Sequence, residues 1–338
     1  MARPGGRDGR GSSGADKYKN AQDAKHLLDM IGKDVHDQMK NDAETYKDEL
    51  KGKLQEAAST SSELIGTLDP CSSDYTTHFD ARDDPCGNGS GKEEEVPRFS
   101  DKQGAECTKS KIKDSNNYCG ACAPLRRLSL CNKNMVKMDT NNDSKAKHYL
   151  LAEVCYAAKY EGESIKHYSE QYDSKYPSSG SGSTMCTMLA RSFADIGDIV
   201  RGRDLYSGND EEKKRREKLD KKLKVIFGKI YKDLTTTSGN KGKTLQKHYK
   251  DNDKNFFKLR EDWWTANRDQ VWKALTCKAD DSNRYFRATC GDDNESLSHA
   301  SHKCRCKDKK FTKETDQVPT YFDYVPQYLR WFEEWAED

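Results

Sequence analysis

A chain of 338 residues with 34% charged and only 33% hydrophobic side chains cannot fill several thick cores, so it must expose long helical faces or gain stability from covalent links. Twelve cysteines supply such links, and an even count in so polar a chain reads as a disulfide framework formed in an oxidising compartment. The net charge of +2 excludes a globally polycationic binder, so any contact with a polyanion must rest on local patches.

Residues 1 to about 15 are rich in Gly, Arg and Ser and read as a disordered leader without the apolar stretch of a signal peptide. No window approaches the roughly 20 apolar residues that cross a bilayer. A disulfide protein without an ordinary export signal is a contradiction. It predicts an unconventional signal or a piece of a larger anchored protein.

From Asp23 to Ala57 the pattern is helical, with Leu28, Ile31, Val35 and Met39 in one stripe that Ala43, Tyr46, Leu50 and Leu54 continue. The cysteines all follow it: Cys71, Cys86, Cys107, Cys119, Cys122, Cys131, Cys155, Cys186, Cys277, Cys290, Cys304 and Cys306. A boundary near Thr67 therefore separates an N-terminal unit, 1–66, from the rest. Residues 67–145 carry half the cysteines among short apolar runs and turn formers, so this region depends on cross-links. GNGSGKEEE at 87–95 reads as an exposed loop.

Residues 146–338 turn to long helices. One runs from Lys145 to Tyr176 on Leu151, Val154, Cys155, Ala158, Ile165, Tyr168 and Tyr172, and Pro177 ends it. Cys155 lies on its apolar stripe and so faces a partner element. Others cover Thr184 to Gly202, Glu211 to Leu234 and Phe256 to Leu275. Pro326 starts a last helix on Tyr328, Leu329, Phe332, Trp335 and Ala336, still in phase at Asp338, which predicts that the sequence stops inside a domain.

Several motifs imitate chemistry. Cys119-Gly-Ala-Cys122 before Pro124 has the spacing of a redox site, but the βαβ context is missing, so a structural staple is the better reading. Leu125 and Leu128 would share a helix face, leaving Arg126 and Arg127 beside it. His299, His302, Cys304 and Cys306 crowd together, but Cys304-x-Cys306 is too tight for common zinc spacing. Gly242-Lys243-Thr244 imitates a phosphate-binding loop but lacks its first glycine, since Thr237 stands there, and lacks a preceding strand. No G-x-S-x-G or H-E-x-x-H occurs, so no catalytic residue, metal or cofactor is expected. Sequons at Asn88, Asn142 and Asn294 would mark surface loops.

The strongest non-covalent feature is basic. In Glu211 to Lys232, Leu219, Leu223, Ile226 and Ile230 fall on one helical face. Lys214, Lys218, Lys221, Lys229 and Lys232 fall on the other, with Lys224 at its edge. Such a stripe could track a sulfated polymer by counterion release. A second cluster, Lys303, Arg305, Lys307, Lys309, Lys310 and Lys313, sits beside Cys304 and Cys306. An extracellular, disulfide-bonded chain makes a sulfated glycan a better partner than nucleic acid. The bland alternative for either cluster is a solvated face.

Four long blocks stand in order: CGACAPLRRLSLC at 119–131, ARSFADIGDIVRGRDL at 190–205, LREDWWTANRDQVWKALTC at 259–277, and VPTYFDYVPQYLRWFEEWAED at 318–338. With these and the helical region 17–57, the chain resembles, over essentially its whole length, the head of the erythrocyte membrane protein 1 family of Plasmodium falciparum. That head is an N-terminal segment followed by a Duffy-binding-like domain of the alpha class. The resemblance implies an all-α, disulfide-rich fold with an irregular first subdomain at 67–145 and a helical-bundle second subdomain at 146–338. A third subdomain is expected to be absent. It also implies a non-enzymatic adhesion module on the infected erythrocyte, anchored by a membrane span elsewhere in the parent protein and exposed to host antibodies. Receptors in the family include heparan sulfate, blood-group sugars and complement receptor, with rosetting as the associated behaviour. The family transfers no receptor site onto particular positions here. A scaffold that spaces neighbouring domains is the alternative role.

Overall fold

The first helix, α1 (Ala24–Thr45), starts where the Asp23 side chain accepts a hydrogen bond from the His26 backbone N–H, satisfying a donor that the helix itself leaves open. The computed structural model describes residues 17–58, 68–79, 84–87, 106–113, 121–141, 145–175, 185–236, 240–291, 296–310 and 312–337. The leader, the boundary near Thr67, residues 88–95 of the Gly-rich loop, Cys119 and the three sequons lie outside them.

The single stripe expected over Asp23 to Ala57 divides into α1, α2 (Lys47–Leu50) and α3 (Leu54–Ala57). The break between α2 and α3 falls at Gly52, a poor helix former whose N–H donates to Asn267 Oδ1 at 2.6 Å and whose carbonyl accepts from Gln270. A tertiary partner thus takes the backbone groups a helix would have used. Asp29 of α1 is fully buried and accepts from Arg287 Nε and from the Tyr321 N–H, each at 2.6 Å. This joins the N-terminal helices to the far end of the chain.

Two short helices follow, α4 (Tyr75–His78) and α5 (Leu125–Leu128), and then α6 (Lys133–Lys137). The long helices are α7 (Ala146–Lys175), α8 (Met185–Arg201), α9 (Asp210–Thr236), α10 (Asn240–His248) and α11 (Phe257–Leu275). The hydrophobic spacing had located four of these; α10 is additional. A two-stranded antiparallel ribbon, β1 (Ala288–Cys290) with β2 (Ser298–His299), precedes the last helix, α12 (Gln327–Glu337).

Helix α8 is buried along almost its whole length, Cys186 to Arg201. Helices α7 and α11 pack on it and on each other, with Phe193 against Trp264 and Trp272. A second, smaller apolar cluster of Ile112, Ala123, Tyr206 and Trp331 seats the cysteine-rich region against α12.

Five disulfides join described residues: Cys71–Cys277, Cys86–Cys131, Cys107–Cys122, Cys186–Cys304 and Cys290–Cys306. Cys155 corrects the expectation from the even count. It is a free thiol with no solvent exposure on the inner face of α7, where it packs as a small apolar side chain, and burial pushes its pKa well up.

Candidate receptor-binding surface

Helix α9 carries the exposed cations because both of its other demands are met elsewhere. Its N-terminus is closed by a reciprocal cap. Asn209 Oδ1 accepts from the Glu212 N–H at 2.9 Å, and Glu212 Oε2 accepts from the Asn209 N–H at 3.4 Å and from the Tyr206 hydroxyl. Its inner face buries Leu219, Leu223, Ile226, Phe227, Ile230 and Leu234. The outer face leaves Lys214, Lys218, Lys221 and Lys232 exposed. Lys229 departs from the expected set: it is half-buried and donates to the Thr140 carbonyl, just as Lys222 donates to the Met138 carbonyl. These two lysines tie α9 to the segment after α6. Lys224, expected at the edge, pairs with Asp220 at 3.0 Å.

Sequence reasoning set residues 242–244 aside as a failed phosphate loop. They lie on α10, where Gly242 is buried and Lys243 exposed. Lys243, Lys247 and Lys250 repeat the spacing of Lys214, Lys218 and Lys221, four residues and then three, and all six are exposed. That repeated interval was the legible signal.

The second basic cluster is less uniform than it looked. Arg305 is buried: it donates to Thr276 Oγ1 at 2.7 Å, Glu314 Oε2 at 2.8 Å, the Lys273 carbonyl at 2.7 Å and Cys71 Sγ at 3.2 Å. A guanidinium with these partners is structural, and it leaves the candidate site. Lys303 and Lys307 are half-buried, and Lys309 and Lys310 are exposed. The sulfurs of the crowded His/Cys segment are consumed, Cys304 by Cys186 and Cys306 by Cys290, and Cys122, read as part of a structural staple, is bonded to Cys107. Among the described residues no group of His, Cys, Asp and Glu has the geometry of a metal site.

The four long sequence blocks meet in one buried ionic network. Arg126 on α5 donates to Asp195 at 2.7 Å, to both Glu334 oxygens at 2.8 Å and to Ser192 at 2.9 Å. Asp195 also accepts from Arg330, Gln327 and Trp331. Arg191 pairs with Glu333, and Arg268 grips Asp323 through two bonds of 2.8 and 2.7 Å. Burial alone would raise the Asp195 pKa, but Arg126, Arg330 and Arg127 outweigh it and hold the carboxyl well below the usual range. Every carboxylate of this network is matched by a guanidinium, so it fixes helices rather than moving protons.

Two clefts open beside the network. One of about 380 Å³ lies between Gly202–Leu205 and Tyr324–Tyr328, with Lys113 and Arg203 on its wall. The other, about 230 Å³, lies between α1 and α11. There the His36 ring packs on Tyr321 and Tyr324, and burial together with Arg268 pulls its pKa down to about 4. No helix among the described residues is long and apolar enough to cross a membrane.

These features define a disulfide-stapled helical binding module, with its interior charges paired and its spare charge outside. The family model described as the Duffy binding domain matches residues 120–330, and that of the N-terminal segments of PfEMP1 matches residues 23–58. The chain belongs to the Duffy binding domain family, as an N-terminal segment and alpha-class domain of the PfEMP1 head. It is 37% identical to the NTS-DBL1α1 domain of PfEMP1 from the Plasmodium falciparum varO strain, with a TM-score of 0.64 over 93% of this chain and 60% of that one. The varO double domain, NTS-DBL1α with CIDRγ, matches at 37% identity and a TM-score of 0.70, over 93% of this chain and 43% of that one. The DBLβ domain of a PfEMP1 bound to human ICAM-1 matches at 25% identity and 0.62, over 93% of this chain and 61% of that one. The chain thus spans about 60% or less of the first structures it matches. No curated protein matches it by sequence. Domains of this kind are receptor-binding adhesion modules, not enzymes.

Proposed function

We propose that this chain is a cell-adhesion module of a variant surface antigen displayed on infected erythrocytes, and that it holds a sulfated glycosaminoglycan of the heparan type on the outer face of α9. The observation that carries this reading is the row Lys214, Lys218 and Lys221, exposed and without an ion-pair partner among the described residues, on a helix whose opposite face is anchored in the core. Ammonium groups at successive turns meet an anionic polymer at several points, and release of its counterions drives binding. A related domain binds ICAM-1, a host surface protein, which supports receptor capture as the general role. The exposed Lys309 and Lys310, with Lys303 and Lys307 beside them, offer a second and weaker patch.

Heparin chromatography tests the reading. The variant Lys214→Glu/Lys218→Glu/Lys221→Glu is expected to elute at clearly lower salt than the unmodified chain. Unchanged elution would remove the α9 face from consideration. Failure of the unmodified chain to bind would favour a display or spacing role, with receptor capture carried by other domains of the parent protein.

A further inference from the structure

The row on the outside of α9 is interrupted. Beyond Lys221 the next outward positions are Val225, 46% exposed, and Gly228, and only then does Lys232 follow. At about 1.5 Å per residue the gap is roughly 16 Å, too long for one polymer to be held evenly by α9 alone. Helix α10 lies beside this gap. Only residues 237–239 separate the two helices, which pack as a hairpin. The Tyr231 hydroxyl donates to the Gln246 carbonyl at 3.4 Å, which ties the two limbs, and the Tyr231 ring meets Phe256, just before α11, at 5.8 Å. Gly242, Leu245 and Tyr249 are buried on the inner side of α10. Lys243 and Lys247, four residues apart, share the opposite side; Lys250 follows three residues on, just past the helix end, and all three are exposed.

With position 246 opposite 231, Lys250, Lys247 and Lys243 stand roughly level with positions 227, 230 and 234 of α9, beginning where the lysines of α9 run out. We propose that the anion-binding surface is a track across both helices, with Lys214, Lys218 and Lys221 followed by Lys250, Lys247 and Lys243, and that it fits one linear sulfated saccharide lying along the hairpin. The proposal rests on the sulfated-glycan reading of α9 and extends it to residues on a second element. The track is about 30 Å long at 1.5 Å per residue.

Two further observations support it. Like charges four apart on a helix cost stability, and none of the six has an ion-pair partner among the described residues, so folding does not account for them. Neighbouring lysines differ: Lys241 is held by Glu49 and Lys224 by Asp220. Gly228 sits between the two rows, and a Cβ there would meet Phe256 only at 3.6 Å or more, so core packing does not demand glycine. A bare backbone at that point keeps the floor of the track low. Glu217, exposed beside the first triplet, is a carboxylate that works against it.

The test compares three triple variants of equal charge change on immobilised heparin: α9 (Lys214, Lys218, Lys221→Glu), α10 (Lys243, Lys247, Lys250→Glu) and the rival patch (Lys307, Lys309, Lys310→Glu). Melting curves verify that each is folded. Both helix variants are expected to lose on the order of 10- to 100-fold in affinity near physiological salt. Each should also flatten the slope of log affinity against log salt by about two to three, while the rival variant changes little. For the unmodified chain, affinity should rise with the length of heparin-derived oligosaccharides until they span the roughly 30 Å track. If the α9 variant weakens and the α10 variant does not, the track is overturned and the α9 reading stands. A length dependence that saturates at half the span overturns it too. Loss confined to the rival variant, or no binding by the unmodified chain, overturns both.

Discussion

Arg126 is 2% exposed, and its guanidinium is engaged on every side, by Glu334, Asp195 and Ser192. Next to it Arg127 grips Asp204 through bonds of 3.2 and 2.6 Å. A buried pair contributes little beyond a well-packed apolar replacement, but removing one partner strands the other without water. Arg126→Met is therefore expected to cost about 3–5 kcal/mol in chemical denaturation. Adding Glu334→Gln to it should recover part of that loss, because one stranded charge is then gone. Additive losses would show that Arg126 and Glu334 are not coupled. This arrangement was invisible in the sequence. Leu-Arg-Arg-Leu reads as two leucines facing inward with arginines beside them, yet the arginines are buried and Leu125 and Leu128 only half-buried. The carboxylates that reverse the pattern lie 69, 77 and 208 residues away, at Asp195, Asp204 and Glu334, and local spacing carries no information about them.

At the scale of elements, hydrophobic periodicity located α7, α8, α9 and α11 to within a few residues, because long helices bury one stripe over many turns. It missed two things for physical reasons. Helix α10 has few apolar residues to report a period, and the apolar period of α8 says nothing of Arg191, Asp195, Asp198 and Arg201, which are buried against paired charges. Lys229 was read as part of a free face for the same cause, since the Thr140 carbonyl that receives it comes from another element. The crossing of α7 and α11 also depends on a detail that periodicity does not register. A Cβ at Gly162 would lie 1.9 Å from the Leu275 carbonyl oxygen, a backbone atom that cannot swing away. Gly162→Ala would normally favour a helix by about 1 kcal/mol. Here it is expected to destabilise by about 1–3 kcal/mol, lowering the melting temperature, as the helices are forced apart. An unchanged or raised melting temperature would show that the crossing has slack.

At the scale of the molecule, the framework anticipated from cysteine count is present, although its pairing could not be deduced from one sequence and Cys155 stands outside it. The Cys71–Cys277 bond spans 206 residues and ties the cysteine-rich region to the end of α11. In the chain-entropy description a loop of this size is worth about 5 kcal/mol to the folded state. Replacing both cysteines by serine should lower the denaturation midpoint strongly. The same change at Cys107 and Cys122, which close a loop of separation 15, should lower it less. Equal effects would mean that local packing, not loop closure, sets the contribution.

The position of Asp29 has a consequence for how the chain is made. Its carboxylate leaves the ribosome well before the Tyr321 N–H that donates to it, which lies 292 residues further on. Until that segment emerges, α11 offers α1 only part of its seat, and the Asp29 carboxylate lacks its Tyr321 donor. Helix α1 is thus made long before its last partner and docks late. Long-range closure of this kind makes folding slow and leaves intermediates exposed.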